Sequence, residues 1–311
     1  MIDTALAWIR LLRLPNHATA VADVLAGYLI VSGATVIDWP RPALGWAVLA
    51  SLGFYAAGMV LNDVCDVAVD RIERPGRPLP SGRIPVRLAA AVGNLLLSLA
   101  SLAACATAFA ARDPRPAFVG ALLTAAVWIY NRHAKGTSLG PAVMGSCRSL
   151  NWLLGMTAAA GPAVASHWLL PVGMGVFVMG ITVYARDEAG ESPAARLAAG
   201  MLIMLVGLAT AGLAPWVAAR AGDTDAWLAQ TRLPQWTLLW GMLVASILLR
   251  GLLGILDPVA GRVQQAVGNA IMSIITLDAV LVLAFCGEPW AMALLALLVP
   301  FLLGRRLVSP T

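Results

Sequence analysis

The sequence predicts an all-α protein: a polytopic transmembrane helical bundle of about nine membrane helices plus a short C-terminal apolar segment, forming one integral membrane domain over residues 1–311. Three observations carry this fold class. Only 12% of the residues are charged and 60% are hydrophobic, against about 25% charged in an ordinary soluble domain. That is too little polar surface to cover a globule, so lipid must solvate most of the exterior. Apolar stretches of about 20 residues, the length needed to cross a hydrocarbon core, recur between short polar loops. Lys and Arg gather in alternate loops, as they do when one side of a membrane is cytoplasmic.

The first apolar stretch, 17–36, follows Arg10 and Arg13. It is long enough to span and reads as an uncleaved anchor, not a signal peptide. Further spans fall at 43–64, 88–110, 116–131, 139–161, 167–186, 196–219, 234–256 and 267–286. A shorter stretch at 289–304 either crosses as a tenth or re-enters. At these lengths only helices satisfy every backbone polar group in lipid.

A cytoplasmic N-terminus puts Arg10, Arg13, Arg71, Arg74, Arg77, Arg83, Arg87, Arg132, Lys135, Arg186, Arg196, Arg250 and Arg262 on the cytoplasmic side. Arg41, Arg112, Arg115, Arg220 and Arg232 fall opposite. This asymmetry accounts for the net charge of +5 better than a nucleic-acid partner does, and a bacterial inner membrane is the expected location. Trp46, Trp168, Trp216, Trp236 and Trp290 lie near span ends, where an aromatic belt would sit. Cys65, Cys105, Cys147 and Cys286 are far apart with no CxxC, and are expected to be buried inert thiols.

The informative stretch closes the second span: Asn62, Asp63, Asp66 and Asp70, followed by Arg71, Arg74, Arg77, Pro78, Leu79, Pro80, Ser81, Gly82 and Arg83. Spacings of three and four put the three carboxylates on one helix face, with Asn62 beside it. Carboxylates this close repel one another and are costly at a membrane boundary unless a cation compensates. Oxygen ligands without His or Cys favour Mg²⁺ over zinc, and Mg²⁺ commonly bridges carboxylates to substrate phosphates. The arginines that follow can grip phosphate oxygens in pairs.

This stretch resembles the first aspartate-rich motif of the UbiA superfamily of intramembrane prenyltransferases, an Asn-Asp-x-x-Asp-x-x-x-Asp followed by an Arg-Pro-Leu-Pro-Ser-Gly loop. The resemblance implies a nine-helix bundle over nearly the whole chain and Mg²⁺-dependent transfer of an isoprenyl group from a diphosphate donor to a lipophilic acceptor in membrane lipid. It implies that Asn62, Asp63, Asp66 and Asp70 hold metal and diphosphate, and that Arg74 and Arg77 contact phosphate.

The family's second acidic motif, Asp-x-x-x-Asp, falls where this chain reads Arg186, Asp187, Glu188, Ala189, Gly190 and Glu191. Aligned on Arg186, Ala185 and Ala189 occupy the usual aspartate positions. Asp187, Glu188 and Glu191 either hold a second Mg²⁺ or form a hydrated helix end pairing with Arg186. The family's Tyr and Lys near the fourth helix correspond to Tyr130 and Lys135, spaced one residue longer than usual. Lys135 and Arg132 are expected at phosphate, or else serve as orientation charges.

Arg148 and Asn151 lie within the fifth span, where a charge is expensive and faces a cavity or partner. They either bind diphosphate or an acidic acceptor, or pair with Asp23 or Asp278. Together with Gly155 and the run Thr276, Leu277, Asp278 and Ala279, they resemble the EboC-like branch, which is associated with moving or maturing secondary-metabolite precursors. Tyr130 and Trp152 are candidate π faces for an allylic cation.

Overall fold

The structure, a computed structural model, describes residues 2–33, 41–187, 192–221 and 232–308. Among them the chain is helical throughout its ordered elements: α1 (Ile2–Leu12), α2 (His17–Ser32), α3 (Pro42–Glu73), α4 (Val86–Ala111), α5 (Arg115–Ile129), α6 (Gly140–Ala159), α7 (Ala165–Tyr184), α8 (Ala194–Ala221), α9 (Leu233–Leu256), α10 (Ala260–Cys286), α11 (Glu288–Leu295) and α12 (Leu298–Val308).

Six of these, α3, α4, α7, α8, α9 and α10, are long and apolar enough to cross a membrane. The remaining expected spans, α2, α5 and α6, are helices at the expected places, with a physical reason for falling short. The described α2 is 16 residues long and α5 is 15. The 20 residues of α6 include Arg148, Asn151 and several Gly and Ser. The chain is an integral, multi-pass membrane protein. Large side chains such as Leu95, Leu99, Leu102 and Phe109 on α4 and Leu238, Met242, Leu249 and Leu256 on α9 are exposed, as a lipid-facing surface requires.

Local sequence explains the helix boundaries. Pro42 and Pro116 sit in the first turns of α3 and α5, where a missing N–H costs nothing. The 32-residue α3 stops at Arg74, directly before Pro75. The loop beyond folds into turns, with Gly82 at φ 75, a left-handed conformation that glycine adopts without strain.

Two apolar cores share a seam. One gathers α2 through α6 around Phe54, Leu97, Leu123 and Leu154. The other gathers α2 and α6 with α7 through α10 around Trp152, Phe177, Leu208 and Leu281. At the seam α2 and α6 touch backbone to backbone. A Cβ on Gly155 would meet the Val24 carbonyl oxygen at 2.1 Å, and one on Gly27 the Trp152 carbonyl oxygen at 2.6 Å. Small residues permit this approach, the usual device for close helix pairs in lipid.

The C-terminal apolar segment is two helices, broken between Leu295 and Leu298. Phe301 buries against Ala22 and Ile275, and a Cβ on Gly304 would meet the Pro15 ring at 2.9 Å. The segment therefore runs back to the end of the bundle where α2 begins. Cys65 and Cys105 are exposed, and Cys147 and Cys286 partly so; all four are free thiols. The expected burial fails for Cys65 and Cys105 because both lie on the outward faces of their helices.

Candidate functional site

The C-terminal half of α3 carries the acidic face. Asp63 and Asp70 are buried, and Asn62 and Asp66 are half-buried. Each carboxylate is met by a cation from a different element. Arg13 Nη2 donates to Asp63 Oδ1 at 3.1 Å. Arg77 Nη1 donates to Asp70 Oδ2 at 2.7 Å and lies 3.9 Å from Asp63 Oδ1. Lys135 Nζ pairs with Asp66 and donates to Asn62 Oδ1 at 2.7 Å. The Asn62 amide bridges Asp63 and Asp66 at 3.4 Å to each. Among the described residues no three acidic side chains converge on one point; acids and bases alternate instead.

Local folding places each cation. Arg77 lies on the loop after α3, where Leu79 and Ile84 are buried against Val60 and Ala89 and against Ala7 and Leu11 of α1. This amphipathic first helix thus clamps the loop to the bundle. Arg13 links α1 to a 3-10 turn over Leu14–Asn16 at φ 50. A non-glycine residue there costs roughly 1–2 kcal/mol, offset by aiming its guanidinium at Asp63.

Lys135 follows a π-helical turn, Tyr130–Ala134, that extends α5. Its backbone N–H donates to the Tyr130 carbonyl at 3.0 Å. A π turn accommodates one extra residue, which accounts for the longer Tyr-to-Lys spacing. Tyr130 lies within electrostatic range of Asp66.

Other expected site residues lie elsewhere or engage other partners. Arg74 caps α3, its N–H donating to the Asp70 carbonyl at 2.9 Å. Arg132 is exposed. Asp187 pairs with Arg196 of α8, whereas its neighbour Arg186 donates to the Gly136 carbonyl at 3.1 Å, beside the Lys135 turn. Glu188 and Glu191 lie outside the described residues.

Arg148 and Asn151 do not join the acidic face. Arg148 Nη1 and Asn151 Nδ2 both donate to Asp23 Oδ2 at 2.9 Å. Asn151 also takes a hydrogen bond from Ser51 at 2.7 Å. This is the pairing alternative, and its reason is local: the seam glycines bring α2 and α6 close enough for Asp23 to receive both donors. Trp152 is wholly buried in the core and has no ring face open to a chamber. Sequence reasoning treated Arg13 as an orientation charge; the signal that it turns inward is Pro15, which starts a new helical turn two residues later.

Comparisons with known proteins fit this arrangement. Digeranylgeranylglyceryl phosphate synthase of Methanoculleus marisnigri is 45% identical over 78 residues, 25% of this chain and 26% of the relative. The enzyme of the same name from Sulfolobus acidocaldarius is 38% identical over 84 residues, 27% of this chain and 29% of the relative. The match thus spans under a third of those relatives' length. The Ignicoccus hospitalis enzyme of that name is 26% identical over 228 residues, 67% of this chain and 72% of the relative.

The fold matches a solved structure described as concerning digeranylgeranylglyceryl phosphate synthase in membranes, at TM-score 0.64 and 18% identity over 92% of this chain and 100% of the other. A UbiA homologue from Aeropyrum pernix K1 matches at TM-score 0.60 and 18% identity, over 86% of this chain and 97% of the other. One from Archaeoglobus fulgidus, bound to GPP and Mg²⁺, matches at TM-score 0.52 and 13% identity, over 86% and 99%.

The UbiA prenyltransferase family model covers residues 20–222, from the start of the bundle past the acidic face of α3 to the end of α8, and the chain therefore belongs to the UbiA prenyltransferase family.

Proposed function

We propose that the chain transfers an isoprenyl group from a prenyl diphosphate to a lipophilic acceptor within the membrane, using Mg²⁺. The observation that carries this reading is the alternation of Asp63, Asp66 and Asp70 with Arg13, Arg77 and Lys135, drawn from one acidic helix face and three separate basic elements. A structural ion-pair cluster needs no such convergence of three elements at a membrane boundary. A site for a metal-bound polyanion needs both signs of charge at once.

The donor set fits Mg²⁺: carboxylate and amide oxygens of Asn62, Asp63, Asp66 and Asp70, with no nitrogen or sulfur ligand among them. When bound, Mg²⁺ would neutralise charge building on the leaving diphosphate. Arg13, Arg77 and Lys135, released from their carboxylate partners, take phosphate oxygens and hold the leaving group. The donor's carbon–oxygen bond breaks, the diphosphate keeps the electron pair, and the acceptor's electron-rich atom attacks the allylic carbon and gives up a proton. Tyr130 offers a π face beside Asp66, and the apolar bundle excludes the water that would quench the cation. In a bacterial inner membrane with a cytoplasmic N-terminus, the site faces the cytoplasm, where Arg13, Arg77 and Lys135 also satisfy the positive-inside rule.

The deciding assay is Mg²⁺-dependent diphosphate release by purified protein. The relatives' shared name makes geranylgeranyl diphosphate and a glyceryl phosphate lipid the first donor and acceptor to supply. Release lost in Asp63→Asn and Asp66→Asn supports the reading. Release that survives both overturns it. The pairing of Asp187 with Arg196 of α8 favours one other reading: a non-catalytic protein, related to the EboC-like branch, that moves or matures a metabolite precursor. Its signature is metabolite flux across proteoliposomes without diphosphate release.

A further inference from the structure

Deep in the bundle lies a charge imbalance that prenyl transfer does not use. Asp23 of α2 and Asp278 of α10 are both 0% exposed, and Arg148 of α6 is 8% exposed. Arg148 Nη1 and Asn151 Nδ2 satisfy Asp23 Oδ2. Asp23 Oδ1 and both carboxylate oxygens of Asp278 meet no N–H or O–H donor. Yet the two carboxyls lie within hydrogen-bonding reach of each other. Two acids and one base are therefore enclosed together.

Several described groups surround this pair, and the buried His17 of α2 packs edge-on against one of them, Tyr55. Arg148 and Asn151 come from α6, Ser51 and Tyr55 from α3, and the indole of Trp152 sits beside Asp23. The buried faces of α7, α8, α9 and α11 carry no charged residue among the described positions. Among the described residues, Arg148 is the cation that acts on the two carboxyls.

Leaving two ionised carboxylates face to face in a low-dielectric interior is prohibitively costly. A sodium ion needs five or six oxygens, and three carboxylate oxygens stand open here. A proton needs no cavity and two acceptors. It also supplies the donor that Asp23 Oδ1 and Asp278 lack. We propose that Asp23 and Asp278 share one bound proton at neutral pH, a proton-carrying site held in the membrane interior. Losing that proton would leave a second carboxylate in the electrostatic field of Arg148, whose buried Nε and Nη2 have no acceptor. Ser51 stands 11 residues before Asn62 on α3, about 16 Å along the helix, so the cluster lies beneath the acidic face.

Infrared spectroscopy of the full chain in lipid nanodiscs at neutral pH tests this, with circular dichroism confirming that each variant folds. The wild type should show the carbonyl stretch of one protonated carboxyl, well separated from ionised carboxylate bands. Asp278→Asn should abolish it. Asp23→Asn should also abolish it, because Asp278 then becomes the counter-ion of Arg148. Arg148→Gln should roughly double it, since neither acid then has a positive partner. Absence of the band from the wild type overturns the proposal without recourse to any variant. So does a band that appears only when sodium is replaced by choline, which would place sodium in the site, or one that survives in both aspartate variants.

Discussion

Asp63 stands where two cations compete for one carboxylate, Arg13 at 3.1 Å and Arg77 at 3.9 Å. On the proposed reading, removing its charge takes a ligand from the Mg²⁺ that would bridge to the diphosphate. Loss of one preorganised electrostatic contact costs about 10²–10³-fold in turnover, so Asp63→Asn should lower diphosphate release by at least that factor in a steady-state assay. Lys135 behaves differently with respect to stability. Its side chain is 30% exposed and that of Asp66 25%, and partly exposed pairs contribute about 0–1 kcal/mol. Lys135→Met should leave the unfolding temperature nearly unchanged while reducing turnover and raising KM for the donor; a large thermal shift with intact kinetics would mark the lysine as structural. The acids were legible in the sequence because helical spacing alone puts them on one face. Arg13 was not, because its approach to Asp63 depends on a left-handed turn that no spacing rule encodes.

At the scale of elements, the π turn after α5 sets the register of Lys135. Because the π turn absorbs one extra residue, deleting His133 should restore ordinary α geometry and leave Lys135 facing Asp66. The expected result is retained diphosphate release with unchanged helical circular dichroism; lost release would show that the π turn itself aims the lysine. The seam of α2 and α6 has no such slack. Gly155→Ala would thrust a methyl at the Val24 carbonyl, and overpacking of this kind costs about 1–3 kcal/mol, visible as a lowered unfolding temperature in detergent. At the opposite end of the bundle, Asp113 accepts from the Arg115 backbone and guanidinium, and Arg115 reaches on to the Ala160 carbonyl at 2.7 Å. The Arg115 hydrogen bonds hold the Asp113 carboxyl below its ordinary range. Its small contribution to stability is therefore present above the ordinary aspartate range and fades as pH falls through the lowered value. Asp113→Asn should flatten that acid limb in pH-dependent unfolding. The helices themselves were readable from apolar run lengths. The three too short or too polar for an unambiguous crossing, α2, α5 and α6, carry His17 and Asp23, the Lys135 turn, and Arg148 with Asn151. α2 and α5 fall short by length alone, and α6 by the polar pair Arg148 and Asn151 that meets Asp23.

For the whole molecule, one buried cluster ties both apolar cores together through α2, α3, α6 and α10. Removing one acid leaves Arg148 a partner in the other. Removing both does not, and an unpaired buried charge costs about 3–5 kcal/mol. The double variant Asp23→Asn/Asp278→Asn should therefore destabilise far more than the sum of the singles, a non-additivity that a double-mutant cycle of unfolding free energies reads directly. Arg148 was visible in the sequence as an intramembrane charge. Its choice of Asp23 over the diphosphate region was not, because partner choice depends on which helices the glycines let touch.

The contact of Gly304 with Pro15 has a mechanical corollary. Pro15 lies two positions beyond Arg13, so the final helix acts as a buttress behind the arginine that meets Asp63. A bulky residue at 304 would push on the hinge that aims Arg13, so a lesion some 290 residues downstream in the chain would register first as a slackened grip on substrate.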